Sequence, residues 1–284
     1  MRGVGIVAGF ALRESVRRRV FVVVALLTVA FLALYGLGVW RVSREVDEFG
    51  PGAQGVDGEI VAGATLLGLS MFATLFLGAI LAVFLTLNAV RGDAERGLLQ
   101  PMIVRPLGRG TLLAGRYVAA AGVCVLYTLF VFIASVIITN GFIDWWPDRT
   151  IVPALEMAIA VAVIAALALG GSVLLSSTAN GIAIFMLFGA GLTAGLLGQI
   201  GEALNSDTLE DVSRIASWIL PFEALYQTAL SEITADTIGF NRFAIDLGPF
   251  GGAQEFGRLL WPYTAVYLAA IAAVAVWAFK RRDL

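Results

Sequence analysis

Six runs of apolar residues, at about 20–40, 60–88, 111–140, 151–176, 181–200 and 261–279, divide this chain. Each is close to or above the roughly 20 residues a helix needs to cross the hydrocarbon of a bilayer. Polar stretches part them. Residues 41–59 carry Arg41, Arg44, Glu45, Asp47, Glu48, Asp57 and Glu59 around Gly50-Pro51-Gly52, which predicts a loop. Phe142 to Arg149 is a short connection whose Trp145 and Trp146 suit a membrane interface. Ser176-Ser177-Thr178-Ala179-Asn180 predicts a tight turn. The fold class is therefore all-α integral membrane, with six transmembrane helices.

Three stretches do not fit a span or a plain connector. Residues 1–19 set Arg2, Arg13, Arg17, Arg18 and Arg19 among Val4, Ile6, Val7, Phe10 and Leu12, which predicts an amphipathic helix on the membrane surface. The apolar run behind it is too long for the core of a secretory signal. Residues 89–108 combine Arg91, Asp93, Glu95, Arg96 and Arg105 with Leu98, Leu99, Met102 and Ile103. That segment is too apolar for water and too charged for lipid, so a surface helix between spans two and three is expected. Residues 201–260 are too long for a plain connector. Asp207-Thr-Leu-Glu210 opens one predicted helix, with Leu209, Val212, Ile215, Ala216 and Ile219 on one face. Pro221 ends it and opens a second, with Phe222, Leu225, Tyr226, Ala229, Leu230 and Ile233. Two short external helices covering the outer ends of the spans are expected, as a seal, a gate or a surface for an external partner. Domain organisation is a surface helix, 1–19, and a six-span unit, 20–284.

Composition agrees: 59% of the residues are apolar, 14% are charged, and mean hydropathy is +0.89. Charge sets the orientation. With six spans, the side holding both termini, the 89–116 segment and the Ser176 turn carries 13 of the 19 basic residues and only Glu14, Asp93, Glu95 and Asp283 of the 21 acids. That side is expected to be cytoplasmic, in the plasma membrane, with both termini inside.

The chemistry available is narrow. The chain has no His, one Cys (Cys124, within an apolar run) and one Lys (Lys280), so it contains no Cys/His zinc site, no internal disulfide and no P-loop. Catalytic residues and metal ligands are expected to be absent. Glu156, inside the fourth run, is a candidate gate or substrate residue, or an interfacial one whose carboxylate reaches the headgroups. In the fifth run, Gly191 and Gly195 form a small-xxx-small pair for close helix contact, within the chain or between chains. By elimination, the chain is a conduit or scaffold whose energy comes from elsewhere.

The stretch Asp93, Glu95, Gly97, Leu98-Leu99, Pro106, Arg109 and Arg116 resembles the permease subunits of ABC-2-type exporters, in particular the group of copper-enzyme maturation permeases. Leu98 stands where that group has Thr, and Pro101 predicts a break between 100 and 101. The resemblance extends to the basic N-terminal helix, the six spans and Leu220-Pro221-Phe222-Glu223. It implies that 1–19 is an interface helix. It also implies that 89–108 is a cytoplasmic coupling helix docking on a separate ATPase, with Asp93, Glu95, Gly97, Leu98, Leu99, Pro106 and Arg109 as coupling residues. Pro221, Phe222 and Glu223 join Glu156 as candidates for the gate or substrate path.

The expected function is the permease subunit of an ATP-driven exporter, with no enzyme activity or cofactor of its own. ATP and Mg would be bound by the partner ATPase. The expected partners are that ATPase, a second permease copy or homologue, membrane lipid, and an external partner at 201–260; none is a nucleic acid. A membrane scaffold or assembly factor, or a secondary transporter, would be built from similar spans.

Overall fold

The computed structural model describes residues 2–17, 20–49, 57–86, 108–239, 241, 245 and 253–281. The described residues form α1 (Arg2–Arg17), α2 (Val20–Phe49), α3 (Gly58–Thr86), α4 (Arg109–Ile143), α5 (Ile151–Leu174), α6 (Ser177–Leu204), α7 (Asp207–Ile219), α8 (Pro221–Glu232) and α9 (Leu260–Lys280). Six of them are long and apolar enough to cross a membrane: α2 to α6, and α9. Their alternation puts α1 and the end of α9 at one end of the bundle, called here the termini end. The connections after α2, α4 and α6 lie at the other end.

The first apolar run does not end its helix where its apolar residues end. α2 continues through the polar residues 41–49, where a loop was expected. Its exposed charges support the extra turns: Arg41 pairs with Glu45 one turn on, and the Arg44 guanidinium lies over the Trp40 ring. A helix leaves the bilayer without unwinding where charged side chains beyond it are solvated.

α5 is the central helix, packed against α3, α4, α8 and α9. Its small residues, Ala154, Ala158, Ala160, Ala165 and Ala168, are buried and let neighbours approach closely. At Gly78 of α3 an added Cβ would stand 2.8 Å from a Val161 methyl, so α3 and α5 touch almost backbone to side chain. Between spans, hydroxyls pair with hydroxyls: Thr28 with Tyr127, Tyr35 with Thr139, and Ser70 with Ser135 at 2.6 Å. In lipid such bonds fix register, since an unpaired hydroxyl has no water to turn to.

α1 lies against the first turns of α4. Val7 and Ala8 are buried there, and an added Cβ at Gly115 would meet Val7 Cβ at 2.6 Å. Ile6 and Phe10, on the opposite side of α1, are exposed. The helix is amphipathic as expected, and a glycine in α4 accommodates it.

Candidate functional site

α7 and α8 form where the sequence predicts helices, and Pro221 occupies the first turn of α8. They do not cap the outer ends of the spans. The glycines of α6 trace their path. Added Cβ atoms at Gly201, Gly198 and Gly191 would meet, in turn, Leu209 and Glu210, then Ser213, then the Phe222 ring. α7 thus runs antiparallel to α6, and the chain turns back at Leu220-Pro221. Gly191 is 13 residues from Leu204, about 20 Å along α6. The turn therefore reaches about the middle of the span. α8 climbs back beside α5 to Glu232, which pairs with Arg149 at 2.6 Å next to the start of α5. α7 and α8 make a re-entrant hairpin.

This placement inverts the expected burial of α7. Val212, Ile215 and Ile219 are 48%, 62% and 61% exposed, while Ser213 and Ser217 are buried against the rest of the chain. An apolar stripe faces inward only when the outside is water; alongside spans of this kind the outside is hydrocarbon. α8 is closer to expectation. Phe222, Leu225, Tyr226, Ala229, Leu230 and Ile233 are all buried, yet so are Glu223, Gln227, Thr228 and Ser231 on its other side.

Glu223 is fully buried at the deep end of α8. Its Oε1 accepts a hydrogen bond from Gln227 Nε2 at 2.8 Å. Its Oε2 and the Gln227 Oε1 have no partner. Gly195 is the wall over both side chains: a Cβ there would strike Glu223 Oε1 and Gln227 Nε2. The Gly191–Gly195 pair thus serves contact within this chain, with Gly191 against Phe222 and Gly195 against Glu223. Phe222 also stacks on Phe188 (ring centroids 6.0 Å apart, 11° between planes), and Phe188 meets Phe76 of α3 at 5.9 Å. Sequence reasoning missed Gln227; its signal was a Glu and a Gln one turn apart within an apolar stripe.

Glu156 belongs to the other end of α8. It is 1% exposed, so its carboxyl is enclosed by the chain near the outer end of α5. Trp261 of α9 hydrogen-bonds to its carboxyl, Glu232 is nearby, and its Oε2 has no partner. Glu232 is nine residues past Glu223, about 13 Å along α8, so the two buried acids do not form one site. The end of the hairpin is stapled down by the α4–α5 connection. Asp148 Oδ2 accepts from the Asp236 N–H at 2.9 Å and from the Thr237 hydroxyl at 3.1 Å. The hydrogen bond and charge of Glu232 raise the pKa of Arg149.

Of the predicted coupling residues, Asp93, Glu95, Gly97, Leu98, Leu99 and Pro106 lie outside the described residues, and so does the proposed break at Pro101. Arg109 opens α4 behind an extended Gly108. The segment therefore re-enters the described fold two turns before Gly115, where α1 is seated.

A bundle of six membrane-length helices with a re-entrant hairpin before the last defines a multi-pass membrane protein. The chain belongs to the ABC-2 family of transporter proteins, whose model matches residues 6–284. It is also similar to the probable ABC transporter permease protein NosY of Pseudomonas aeruginosa, 33% identical over 122 residues. That similarity covers 43% of this chain and 40% of the relative.

Proposed function

We propose that this chain is the permease subunit of an exporter driven by a separate cytoplasmic ATPase, and that two such subunits, or this one and a homologue, enclose the path of the cargo. The family match over residues 6–284 carries the reading. Segment 89–108 docks on the ATPase, and its motion passes to spans one, two and five. Acids and arginines together on one surface segment suit a soluble partner, because charged rims set orientation. Co-expression with a Walker-motif ATPase from the same genome tests this. The pair is expected to purify together and to hydrolyse ATP; a permease that purifies alone, with no turnover, would support the scaffold instead.

The charge split supports a termini end in the cytoplasm and a location in the plasma membrane. In a Cys124→Ser background, cysteines at Asp47, Asp148 and Asp236 are expected to react with an impermeant maleimide in intact cells. Cysteines at Arg17 and Lys280 are expected to react only after permeabilisation. Labelling of position 236 only in opened cells would reverse the topology.

A further inference from the structure

The deep end of the hairpin holds two oxygen acceptors and no donor to meet them. Glu223 Oε2 and Gln227 Oε1 are buried without a hydrogen bond. Among the described residues, the helices around them bring no basic side chain to these oxygens. α3, α5, α6 and α8 contain no Lys or Arg. α7 has Arg214, which faces Asp211 one turn away, and α9 has Lys280 at the termini end. A carboxyl and an amide oxygen left so far from water are costly unless a donor arrives from outside the chain.

The surroundings narrow what that donor is. A metal ion would want several hard oxygen ligands or His and Cys, and among the described residues no group of three or more His, Cys, Asp or Glu is assembled. The walls are aromatic instead. Phe222 adjoins Glu223 in sequence and is stacked on Phe188, which meets Phe76. Phe76 is 41% exposed, Phe188 4% and Phe222 1%, so the three rings lead from the α3 surface inward. An ammonium has N–H donors for both oxygens, and its organic part suits aromatic faces. On the α6 side the cover is a glycine face: Gly191 lies over Phe222, and Gly195 over Glu223 and Gln227.

We propose that Glu223 and Gln227 form a binding site for an organic ammonium group, closed here by α6 and opened when α6 draws away from α8. As a cargo site it rests on the exporter reading; as a binding site it does not. The cargo class would be amphiphilic cations with an apolar or aromatic body.

The test uses the full chain with its ATPase in nanodiscs of zwitterionic lipid, which removes adsorption to anionic headgroups. The probes are 4-phenylbutylammonium and its neutral analogue 4-phenylbutanol, measured by equilibrium dialysis. Wild type is expected to bind the ammonium at least about tenfold more tightly than the alcohol, as for a hydrogen bond to a charged group. Glu223→Gln, which keeps the shape, is expected to bring that ratio close to one, and Gln227→Leu to lower it. A wild-type ratio near one would overturn the site, whatever the variants do, and would leave a proton as the occupant of Glu223. An undiminished ratio in folded Glu223→Gln would overturn it equally. ATPase capture is read on the same samples: a lost preference with the ATPase bound removes the cation site alone, whereas a missing ATPase removes the exporter reading.

Discussion

Gly195→Leu is expected to destabilise the folded permease by about 3 kcal/mol, at the upper end of what overpacking costs. The Cβ alone would strike the Glu223 carboxyl and the Gln227 amide, and the rest of the leucine has nowhere to go but between α6 and α8. Neither neighbour is a flexible surface chain. Both are fixed to each other by a hydrogen bond and sit on a helix whose residues are buried from Pro221 to Ser231. The hairpin would have to lift away from the span. Gly189, on the same helix, has open space around it, so Gly189→Leu is the matched control and should be nearly silent. Thermal unfolding of the two variants in one detergent separates the cases. Equal losses would mean that the glycines matter only for the helix itself.

Glu95→Arg is expected to abolish transport while the permease still folds and inserts. Glu95 lies in the polar segment that follows the second span. A solvated carboxylate there contributes less than about 1 kcal/mol to folding. At an interface with the ATPase the same charge, once desolvated and met by a cation or a helix N-terminus, contributes on the order of 2 kcal/mol. Reversing it should weaken ATPase capture by about thirtyfold or more. Arg91→Gln, expected to touch only lipid headgroups, should be mild. Unchanged capture and ATP turnover in Glu95→Arg would move the docking surface elsewhere, most plausibly to residues 1–19.

The six spans were legible because bilayer thickness imposes a length on every apolar run, and the charged residues between runs mark their ends. Helix ends were less so. Residues 41–49 look like a loop by composition, yet the helix persists to Phe49, since a polar stretch ends a span without ending a helix. The hairpin was legible as two helices with a break at Pro221, but its depth was not. The stripe of Val212, Ile215 and Ile219 carries the same pattern whether it faces a core or hydrocarbon. Gly191 and Gly195 announced a close contact without naming the partner, which only the third dimension supplies. Glu156 stood out as an acid in an apolar run; Glu223 was marked through the Leu220-Pro221-Phe222-Glu223 resemblance, whereas Gln227 was not, because it lies in a segment expected outside the spans. The coupling residues from Asp93 to Pro106 lie outside the described structure, so their roles rest on sequence and family.

A photo-crosslinking residue placed at Leu99, in the permease co-expressed with its ATPase, tests the coupling most directly. The predicted result is a crosslinked species of permease and ATPase, formed in native membranes and diminished by Glu95→Arg. A crosslinker at Ile238, on the hairpin end, should give none. Crosslinks from position 99 to lipid alone, in membranes where the ATPase is present, would contradict the claim that this segment carries the force of ATP hydrolysis into the spans.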